Sequence, residues 1–565
     1  MAPDGTTVQY GYDADGNLAS VFLPDETLSF SYDGDGLMLS ASNSVGAVSN
    51  EYDAATGWLM ASRGADGTEV SYSRRSGGSV ASITSAAGTT SYSFDSAGRR
   101  VHIESPSGSF ALGYCEWNGN LAAVTNASGF VVEYEYDIMD RVTNISWKTA
   151  SGAILGGFEY EYDAVGRIVS RSHAIGSNAF DRVYAYDDLD RLASDGGVTY
   201  TYDAAGNRMT RAEESETITY TLGVGDRLAS YGRAGAPRTP QSAEGAYTHD
   251  AAGNVTRIER DGRPTLDLAW NSLYQLVSVS TNGVFAESYE YDALGRRVST
   301  TTLDGTTRHV YDNNWQVIAD IDDQGNVIAS YTWGAGIDNL LAVKISGATY
   351  YPLTDIQGTV WGYIDSQNNV VARWQCDAWG NVVDESVSVP ALASLRYRFQ
   401  GREWSAVTGL INFRLRWYDS ETGRWLSKDP IGLSGGLNLY VFCGSGPTSR
   451  VDPLGCKATG TVINNSSFTI WAKPEDGVKP FKVKPGETAS SIDGFVIPDT
   501  APGRVFKVPG SVSVKVDATG KVTADGILDW IVLKLRGGWQ NSSFGGKHPD
   551  WKPVMRKADA PKKAE

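Results

Sequence analysis

One pair of side chains that could perform acid–base chemistry lies near the end of the chain. His548 is the only histidine after residue 456, and Asp550 follows two positions later. Histidine exchanges a proton near neutral pH, so a hydrolytic nuclease could use His548 as a general base beside Asp550. The alternative is an ordinary histidine in a surface loop, which the local sequence favours.

Two further acidic residues occur in the pattern Asp-Pro-x-Gly. The first copy begins at Asp429 and ends at Gly432, and the second begins at Asp452 and ends at Gly455. Asp and Pro suit the first positions of a tight turn, and Gly suits the last. The local sequence therefore predicts two turns.

The cysteines and histidines predict neither a metal site nor a disulfide framework. Cys115, Cys376, Cys443 and Cys456 lack CxxC spacing, and the five histidines are scattered. No phosphate-binding glycine loop, dinucleotide fingerprint, HExxH motif or nucleophile elbow occurs. We therefore expect no cofactor and no metal.

Most of the chain is a repeat that must be explained before any site. Tyr12, Tyr32, Tyr52 and Tyr72 are twenty residues apart, and the spacing continues less strictly as far as Tyr311. The full unit reads Tyr-Asp-x-x-Gly. A period of this length indicates a repeat architecture.

Each repeat has the pattern of a β-hairpin. Residues 158–162 alternate aromatic and acidic side chains, and residues 167–172 form the return strand. Between them, Asp163 can bond its own backbone to begin a turn and Gly166 can supply a positive φ. A single hairpin cannot bury its apolar face, so we predict a mainly β fold of stacked hairpins with a ladder of tyrosine rings.

Charge divides the chain into an acidic body and a basic tail. The net charge is −17, but residues 457–565 carry 17 Lys and Arg against 11 Asp and Glu, which leaves −23 on the rest. This asymmetry predicts two modules. The excess of positive charge is modest, so nucleic acid is expected only as a possible target of the tail.

No segment of the sequence predicts membrane insertion. No apolar run reaches the roughly 18 residues that a membrane-spanning helix needs. Residues 1–5 lack the charged and apolar regions of a signal peptide, and the chain begins almost inside a repeat. We therefore expect no membrane span and no classical signal peptide, and the start suggests a fragment or a shortened protein.

The densest run of motifs resembles a known family. Residues 414–433 read RLRWYDSETGRWLSKDPIGL, and the second Asp-Pro-x-Gly closes the run. With the Tyr-Asp repeats, this run resembles the RHS/YD-repeat proteins and their RHS-repeat-associated core. The resemblance implies a spiralling β-sheet shell at residues 1–345, a core that caps the shell at 346–456, and a variable effector domain at 457–565. Short runs of strand-forming residues predict a small, β-rich effector domain.

The same resemblance implies a carrier of a polymorphic toxin used in bacterial competition. The shell would enclose its own C-terminal domain as cargo, with an immunity protein and a secretion apparatus as possible partners. Such a carrier would be secreted or lie at the cell surface by a non-classical route.

In the resembled family, the core is an aspartyl self-cleaving protease that cuts just after the second Asp-Pro-x-Gly. The matching residues are Asp429 and Asp452, supported by Arg416, and the matching bond joins Cys456 to Lys457. Two neighbouring carboxylates cannot both ionise easily, so one would act as acid and the other as base toward water. Cys456 replaces the usual Leu or Met, and we expect it to fill an apolar subsite rather than to act as a nucleophile.

Two other interpretations stay open at this stage. The chain could be a non-enzymatic surface or adhesion protein whose exposed Tyr and Trp rings bind carbohydrate or a partner. It could also be a defunct fragment that lacks the repeats needed to close a shell.

Overall fold

A computed structural model describes residues 7–233 and 244–456, and the backbone of four very short strands beyond them. Thirty-six strands form one sheet, and each strand pairs antiparallel with the next along the chain. The mainly β prediction is confirmed, because the chain is a continuous meander of hairpins.

The strands of the meander are β1 (Gln9–Tyr12), β2 (Leu18–Phe22), β3 (Thr27–Tyr32), β4 (Met38–Asn43), β5 (Gly46–Tyr52), β6 (Leu59–Arg63), β7 (Glu69–Arg74), β8 (Val80–Ser85), β9 (Gly88–Phe94), β10 (Arg100–Ser105), β11 (Gly108–Tyr114), β12 (Leu121–Asn126), β13 (Val131–Tyr136), β14 (Val142–Lys148), β15 (Ile154–Tyr162), β16 (Ile168–Ile175), β17 (Asn178–Tyr186) and β18 (Leu192–Asp195). They continue as β19 (Val198–Tyr202), β20 (Arg208–Ala212), β21 (Thr217–Leu222), β22 (Leu228–Arg233), β23 (Gly245–His249), β24 (Val255–Arg260), β25 (Leu266–Trp270), β26 (Leu276–Thr281), β27 (Val284–Tyr291), β28 (Arg297–Thr302), β29 (Gly305–Tyr311), β30 (Val317–Ile321), β31 (Val327–Trp333), β32 (Leu340–Ile345), β33 (Ala348–Thr354), β34 (Val360–Ile364), β35 (Val370–Cys376) and β36 (Val382–Val387).

Short elements follow the meander. They are helix α1 (Pro390–Ala393), three 3-10 turns (Phe399–Gly401, Gly432–Gly435 and Cys443–Ser445), and strands β37 (Glu403–Trp404), β38 (Ile411–Asn412), β39 (Trp417–Asp419), β40 (Arg424–Trp425), β41 (Arg450–Val451), β42 (Thr459–Gly460), β43 (Thr488–Ala489), β44 (Val514–Val516) and β45 (Val522–Ala524). Within the described parts of the chain, no helix is long and apolar enough to cross a membrane.

The repeat aspartate forms the turn as predicted. Oδ1 of Asp163 accepts the backbone N–H of Val165 at 3.0 Å and of Arg167 at 2.8 Å. Its Oδ2 accepts Nε of Arg167 at 2.6 Å. Gly166 then takes a φ of 91°, in the left-handed region that suits glycine. The Tyr-Asp-x-x-Gly motif is therefore a structural turn.

The tyrosines of the Tyr-Asp motif do not stack ring on ring from one hairpin to the next, although tyrosine rings of successive strands do meet at Tyr220 and Tyr231, with centroids 5.9 Å apart. The hydroxyl of Tyr162 donates to the backbone carbonyl of Val142 at 2.5 Å. The hydroxyl of Tyr186 donates to the backbone carbonyl of Ile168 at 2.6 Å. Successive repeat tyrosines lie two strand spacings apart, roughly 10 Å, which is too far for ring contact. Arginine fills the gap: the Arg141 guanidinium lies 4.7 Å from the Tyr162 ring centroid.

Successive turns of the sheet stack on one another. Nδ2 of Asn43 donates to the carbonyl of Tyr291 at 2.8 Å, across 248 residues of sequence. The hydroxyls of Ser107 and Ser330 lie 3.0 Å apart, across 223 residues. The sheet is therefore a spiral, and the line along which its first turn meets its second is here named the seam.

Leucine and valine side chains at one turn position differ in burial according to whether another turn of the sheet covers them. Leu294, two residues after its turn aspartate, is 8% exposed and packs in a cluster with Leu18 and Val21 of the first turn. Val165 and Leu189 occupy the same turn position and are 74% and 65% exposed. Within the described ranges, no second turn of the sheet covers them.

Residues 390–456 leave the meander and lie against several of its strands. The hydroxyl of Tyr247 donates to Asp419 at 2.7 Å, and the hydroxyl of Tyr440 donates to the carbonyl of Gly253 at 2.8 Å. Residues 390–456 are thus fixed to the sheet by buried polar contacts. Strand pairing runs on past residue 345, and the division between shell and core at that point stays a prediction.

Candidate active site

Both Asp-Pro-x-Gly segments form the predicted turns. Oδ1 of Asp429 accepts the N–H of Ile431 at 3.0 Å, and the N–H of Gly432 donates to the Asp429 carbonyl at 2.9 Å. In the second turn, Oδ1 of Asp452 accepts the N–H of Cys456 at 3.1 Å. In each aspartate, Oδ1 therefore accepts a hydrogen bond within its own turn. Oδ2 of each aspartate is left to contact an arginine that lies between the two turns.

Arg416 connects the two aspartates. Its Nη2 lies 2.9 Å from Oδ2 of Asp429 and 3.4 Å from Oδ2 of Asp452. Its Nη1 donates to the carbonyl of Leu439 at 3.2 Å, and its guanidinium lies 4.1 Å from the centroid of the Trp425 ring. The two aspartates, predicted from sequence as a pair, meet at one buried cation.

Burial makes Asp429 a proton holder near neutral pH. Loss of water contact raises the pKa of Asp429 to about 7, although the adjacent Arg416 and the Ile431 N–H act to lower it. The neighbouring Asp452 raises it further, because two negative charges repel each other in this enclosed site. A carboxyl with this pKa can donate and accept a proton at neutral pH.

Three successive carbonyls before the predicted cut are held by three successive residues. The Arg414 side chain donates to the carbonyl of Pro453 through Nη1, and the Leu415 N–H donates to the carbonyl of Leu454 at 3.1 Å. Nε of Arg416 donates to the carbonyl of Gly455. We name this set of contacts the carbonyl clamp, and it fixes the chain up to the residue before Cys456.

The carbonyl clamp is anchored to the shell. Asp338, in the loop between β31 and β32, accepts Nη1 and Nη2 of Arg414 at 3.0 and 2.7 Å and Nη1 of Arg402 at 2.9 Å. Nη2 of Arg414 also donates to the carbonyl of Trp315 at 3.2 Å. Two turns of the shell therefore set the position of the arginine that holds Pro453.

Glycine is required where the chain passes the clamp. Gly455 has a φ of 70°, and a Cβ there would lie 2.7 Å from the Phe413 carbonyl oxygen and 3.1 Å from the Arg416 nitrogen. Any side chain at position 455 would push the segment out of the clamp. The final Gly of the second Asp-Pro-x-Gly is thus fixed by contact as well as by backbone conformation.

Cys456 is enclosed by apolar side chains. It is 1% exposed, in a cluster with Leu395, Tyr397 and Leu454. This surrounding suits a small apolar residue before a cut, as the sequence predicts. Lys457, on the other side of the predicted bond, lies outside the described residues.

The 3-10 turn Gly432–Gly435 also reaches the site, through its last residue. A Cβ built on Gly435 would lie 2.4 Å from Oδ2 of Asp429 and 3.2 Å from the carbonyl oxygen of Cys456. The Asp429 carboxyl and the carbonyl of the predicted scissile bond therefore face the same small space. This juxtaposition places an acid beside the carbonyl that a hydrolysis would attack.

Sequence reasoning missed Arg414, Gln400 and Gly435. Oε1 of Gln400 accepts the N–H of Asp452 at 3.3 Å, and Gln400 has a φ of 49°. Arg414 lies two residues before Arg416, but it precedes strand β39 and has a φ of 67°, so strand alternation does not predict its position. The predicted effector candidates His548 and Asp550 lie outside the described residues.

The described residues hold no group of three or more His, Cys, Asp or Glu side chains that could bind a metal. The four cysteines, all within the described ranges, form no disulfide, and Cys376, Cys443 and Cys456 are buried. Burial raises the pKa of Cys376 to about 12, so this thiol stays protonated at neutral pH. The site described here therefore consists of carboxylates and arginines.

The spiral of Tyr-Asp hairpins and the segment fixed against it define a YD-repeat shell protein. A family model described as Teneurin YD-shell matches residues 125–440, more than half of the chain. The chain belongs to the Teneurin YD-shell family, and the resemblance to RHS/YD-repeat proteins is confirmed. The crystal structure of TcdB2–TccC3 has the same fold, with a TM-score of 0.64 and 19% identity over 80% of this chain and 27% of that one. A Photorhabdus luminescens Tc holotoxin pore structure gives a TM-score of 0.61 at 19% identity, over 80% of this chain and 26% of that one.

Several curated relatives carry the names of toxins and nucleases. WapA of Bacillus spizizenii, a tRNA3(Ser)-specific nuclease, is 29% identical over 270 residues, which are 46% of this chain and 11% of WapA. Double-stranded DNA deaminase toxin A of Burkholderia cenocepacia is 26% identical over 50% of this chain and 22% of its own length. The probable deoxyribonuclease RhsB of Dickeya dadantii is 27% identical over 63% of this chain and 25% of its own. The matched segments thus span between about a tenth and a quarter of the length of these relatives.

Proposed function

We propose that this protein is an RHS-type toxin carrier whose core cuts the chain between Cys456 and Lys457. The observation that supports the proposal is the buried pair of Asp429 and Asp452, which both contact Arg416. The Asp429 carboxyl also faces the same small space as the Cys456 carbonyl. The toxin names of the relatives and the shell fold support the carrier role. Residues 1–345 would form the shell, 346–456 the core and 457–565 the released effector.

The proposed cut is a hydrolysis by paired carboxylates. Asp452 takes a proton from a water molecule, and the water oxygen bonds to the carbonyl carbon of Cys456. Asp429, whose acid form is still populated at neutral pH, gives its proton to the departing nitrogen of Lys457 as the carbon–nitrogen bond breaks. Arg416 balances the negative charge that grows in this enclosed site. The products are a new carboxyl group on Cys456 and a new amino group on Lys457.

The mass of the purified protein tests the cut. We expect two fragments that separate on denaturation, with the new ends at Cys456 and Lys457. Asp429→Asn and Asp452→Asn should each leave a single full-length species, since one acid or base is lost. A wild-type preparation that stays at full-chain mass would contradict the proposal.

We further propose that the released segment acts on nucleic acid, since the named relatives are nucleases and a DNA deaminase. His548 and Asp550 are its candidate acid–base residues. Induced expression of the whole chain in a bacterium should slow growth, and His548→Ala should relieve this. Equal growth of the strains that express the wild-type and His548→Ala chains, at equal protein levels, would exclude His548 as a catalytic residue. Delivery by a secretion apparatus to the cell exterior, and protection by an immunity protein, belong to the same proposal.

The adhesion alternative has less support. It needs rows of exposed aromatic rings, but the hydroxyls of Tyr162, Tyr186 and Tyr202 bond to backbone carbonyls of their own sheet. Their rings are covered by arginines of the same sheet. These rings are parts of the shell wall.

A further inference from the structure

We propose that Gly435 is a positioning residue for the cut, and that its missing side chain keeps open the space in which Asp429 faces the Cys456 carbonyl. The inference rests on the proposed self-cleavage and adds a residue outside both aspartate turns. It also assigns a role to the 3-10 turn Gly432–Gly435, which the Asp-Pro-x-Gly pattern leaves unexplained.

The space at Gly435 is bounded by the reacting groups themselves. A Cβ there would lie 2.4 Å from Oδ2 and 2.8 Å from Cγ of Asp429, and 3.2 Å from the Cys456 carbonyl oxygen. A separation under 3.0 Å forces something to move. A methyl group at this position would occupy the gap between the proposed acid and the bond to be cut.

Asp429 cannot move away without losing its partners. Its Oδ2 is held by Nη2 of Arg416 at 2.9 Å and its Oδ1 by the Ile431 N–H at 3.0 Å. The Cys456 carbonyl follows directly on Gly455, which the carbonyl clamp holds through Nε of Arg416. An added methyl group would therefore displace either the acid or the scissile bond.

The need for glycine at position 435 does not come from backbone conformation. Gly432 and Gly436 have φ values of 61° and 135°, which disfavour other residues. Gly435 is outside that region, so alanine fits the backbone and only its neighbours oppose it. Gly435→Ala is thus a probe of the site that leaves the local chain path intact.

The experiment follows the cut in the full chain during cell-free synthesis, with the fraction of cut protein measured over time on denaturing gels. We expect Gly435→Ala to slow the cut by roughly 100-fold, the effect of misplacing a reacting group by about 1 Å. Leu433→Ala, in the same turn and 70% exposed, and Gly77→Ala, where a Cβ meets nothing within 4 Å, should cut at the wild-type rate.

Two further measurements separate positioning from loss of folding. In the uncut Asp452→Asn background, adding Gly435→Ala should lower the melting temperature by no more than about 5 °C, because one added methyl group in a packed site destabilises a fold of this size only modestly. The residual rate of Gly435→Ala should have a pH midpoint different from that of the wild type, because the surroundings of the Asp429 carboxyl change.

Each result has a definite meaning. A Gly435→Ala chain that cuts within twofold of the wild type, or that keeps the wild-type pH midpoint, would overturn the inference while leaving self-cleavage in place. A large fall in melting temperature would also overturn it. A wild-type chain that does not cut, or an Asp452→Asn chain that does, would instead overturn the proposed function.

Discussion

At the scale of single residues, Asp429 and Asp452 have the same motif but different surroundings. The second carboxylate accepts the N–H of Cys456, four residues along its own chain, and its own N–H is held by Gln400. The first borders the gap at Gly435, and burial raises its pKa to about 7. The two copies of one turn motif therefore differ in what they contact. Asp452 contacts the backbone N–H of Cys456, and Asp429 faces the Cys456 carbonyl.

The cut should depend on pH through Asp429. Its pKa is raised from the ordinary carboxyl range to about 7, so the acid form is populated below that pH and lost above it. If this carboxyl supplies the proton, the rate should fall about tenfold per pH unit above 7. Quenched synthesis transferred into buffers between pH 6 and 9 gives the profile. A rate that is flat or rises over this range would contradict the acid role.

Arg416 should not be replaceable by lysine. A single ammonium group cannot hold both carboxylates while also donating to the carbonyls of Gly455 and Leu439, so Arg416→Lys should slow the cut by roughly 100-fold. Arg63→Lys is the matched control, since Arg63 pairs with Glu69 at the surface. The cut fraction after a fixed time checks this, and equal rates in the two variants would exclude a geometric role for the guanidinium.

Sequence patterns could identify only part of this site. Asp429, Asp452 and Arg416 lie in a motif run that can be read directly. Gly435 and Asp338 cannot be found this way, because their roles depend on contacts with groups distant in sequence. Local pattern does not encode which glycine faces a carboxylate or which shell loop anchors Arg414.

At the scale of elements, the hairpin repeat combines a turn with a contact between neighbouring hairpins. The aspartate closes the turn, the arginine four residues later covers the next tyrosine, and that tyrosine bonds back to the preceding return strand. The turn could be predicted from residue preferences. The Arg–Tyr arrangement could not, because it depends on the distance between alternate strands rather than on any single strand.

The tyrosine hydroxyl bond should be measurable within one repeat. Tyr162→Phe removes the hydroxyl that donates to Val142, at a cost of about 1 kcal/mol. Amide hydrogen exchange in β14–β16 should become faster by roughly fivefold. The matched control is Tyr12→Phe, whose side chain is 60% exposed, and it should leave the exchange of β14–β16 unchanged. Equal exchange in both variants would show that the ring alone carries the contact.

At the scale of the whole molecule, contacts at the seam hold the meander in a spiral. Bonds across 223 to 248 residues hold the first turn of the sheet to the second. The repeat period predicts hairpins but not the number of hairpins per turn of the spiral, since that number follows from sheet twist and from side chains that meet far apart in sequence. The sequence alone therefore does not predict how far the shell closes.

Equivalent turn residues should differ in their importance according to the seam. Leu294→Ala removes a buried side chain at the seam and should destabilise the first turn of the sheet by about 2–4 kcal/mol. Leu189→Ala, at the same turn position but 65% exposed, should cost less than about 0.5 kcal/mol. Hydrogen exchange of β2–β5 measures the difference. Similar protection in both variants would contradict the stacking role of Leu294.

The nearest-neighbour pairing of the meander has a consequence for the order of events during synthesis. Each strand needs only the strand made just before it, so the wall can grow as the chain emerges from the ribosome. The clamp arginine is different, because it needs Trp315 and Asp338 already in place. The proposed cutting site would thus form only after the wall that anchors it. Cleavage of the chain would then act as a signal that folding of the container is complete.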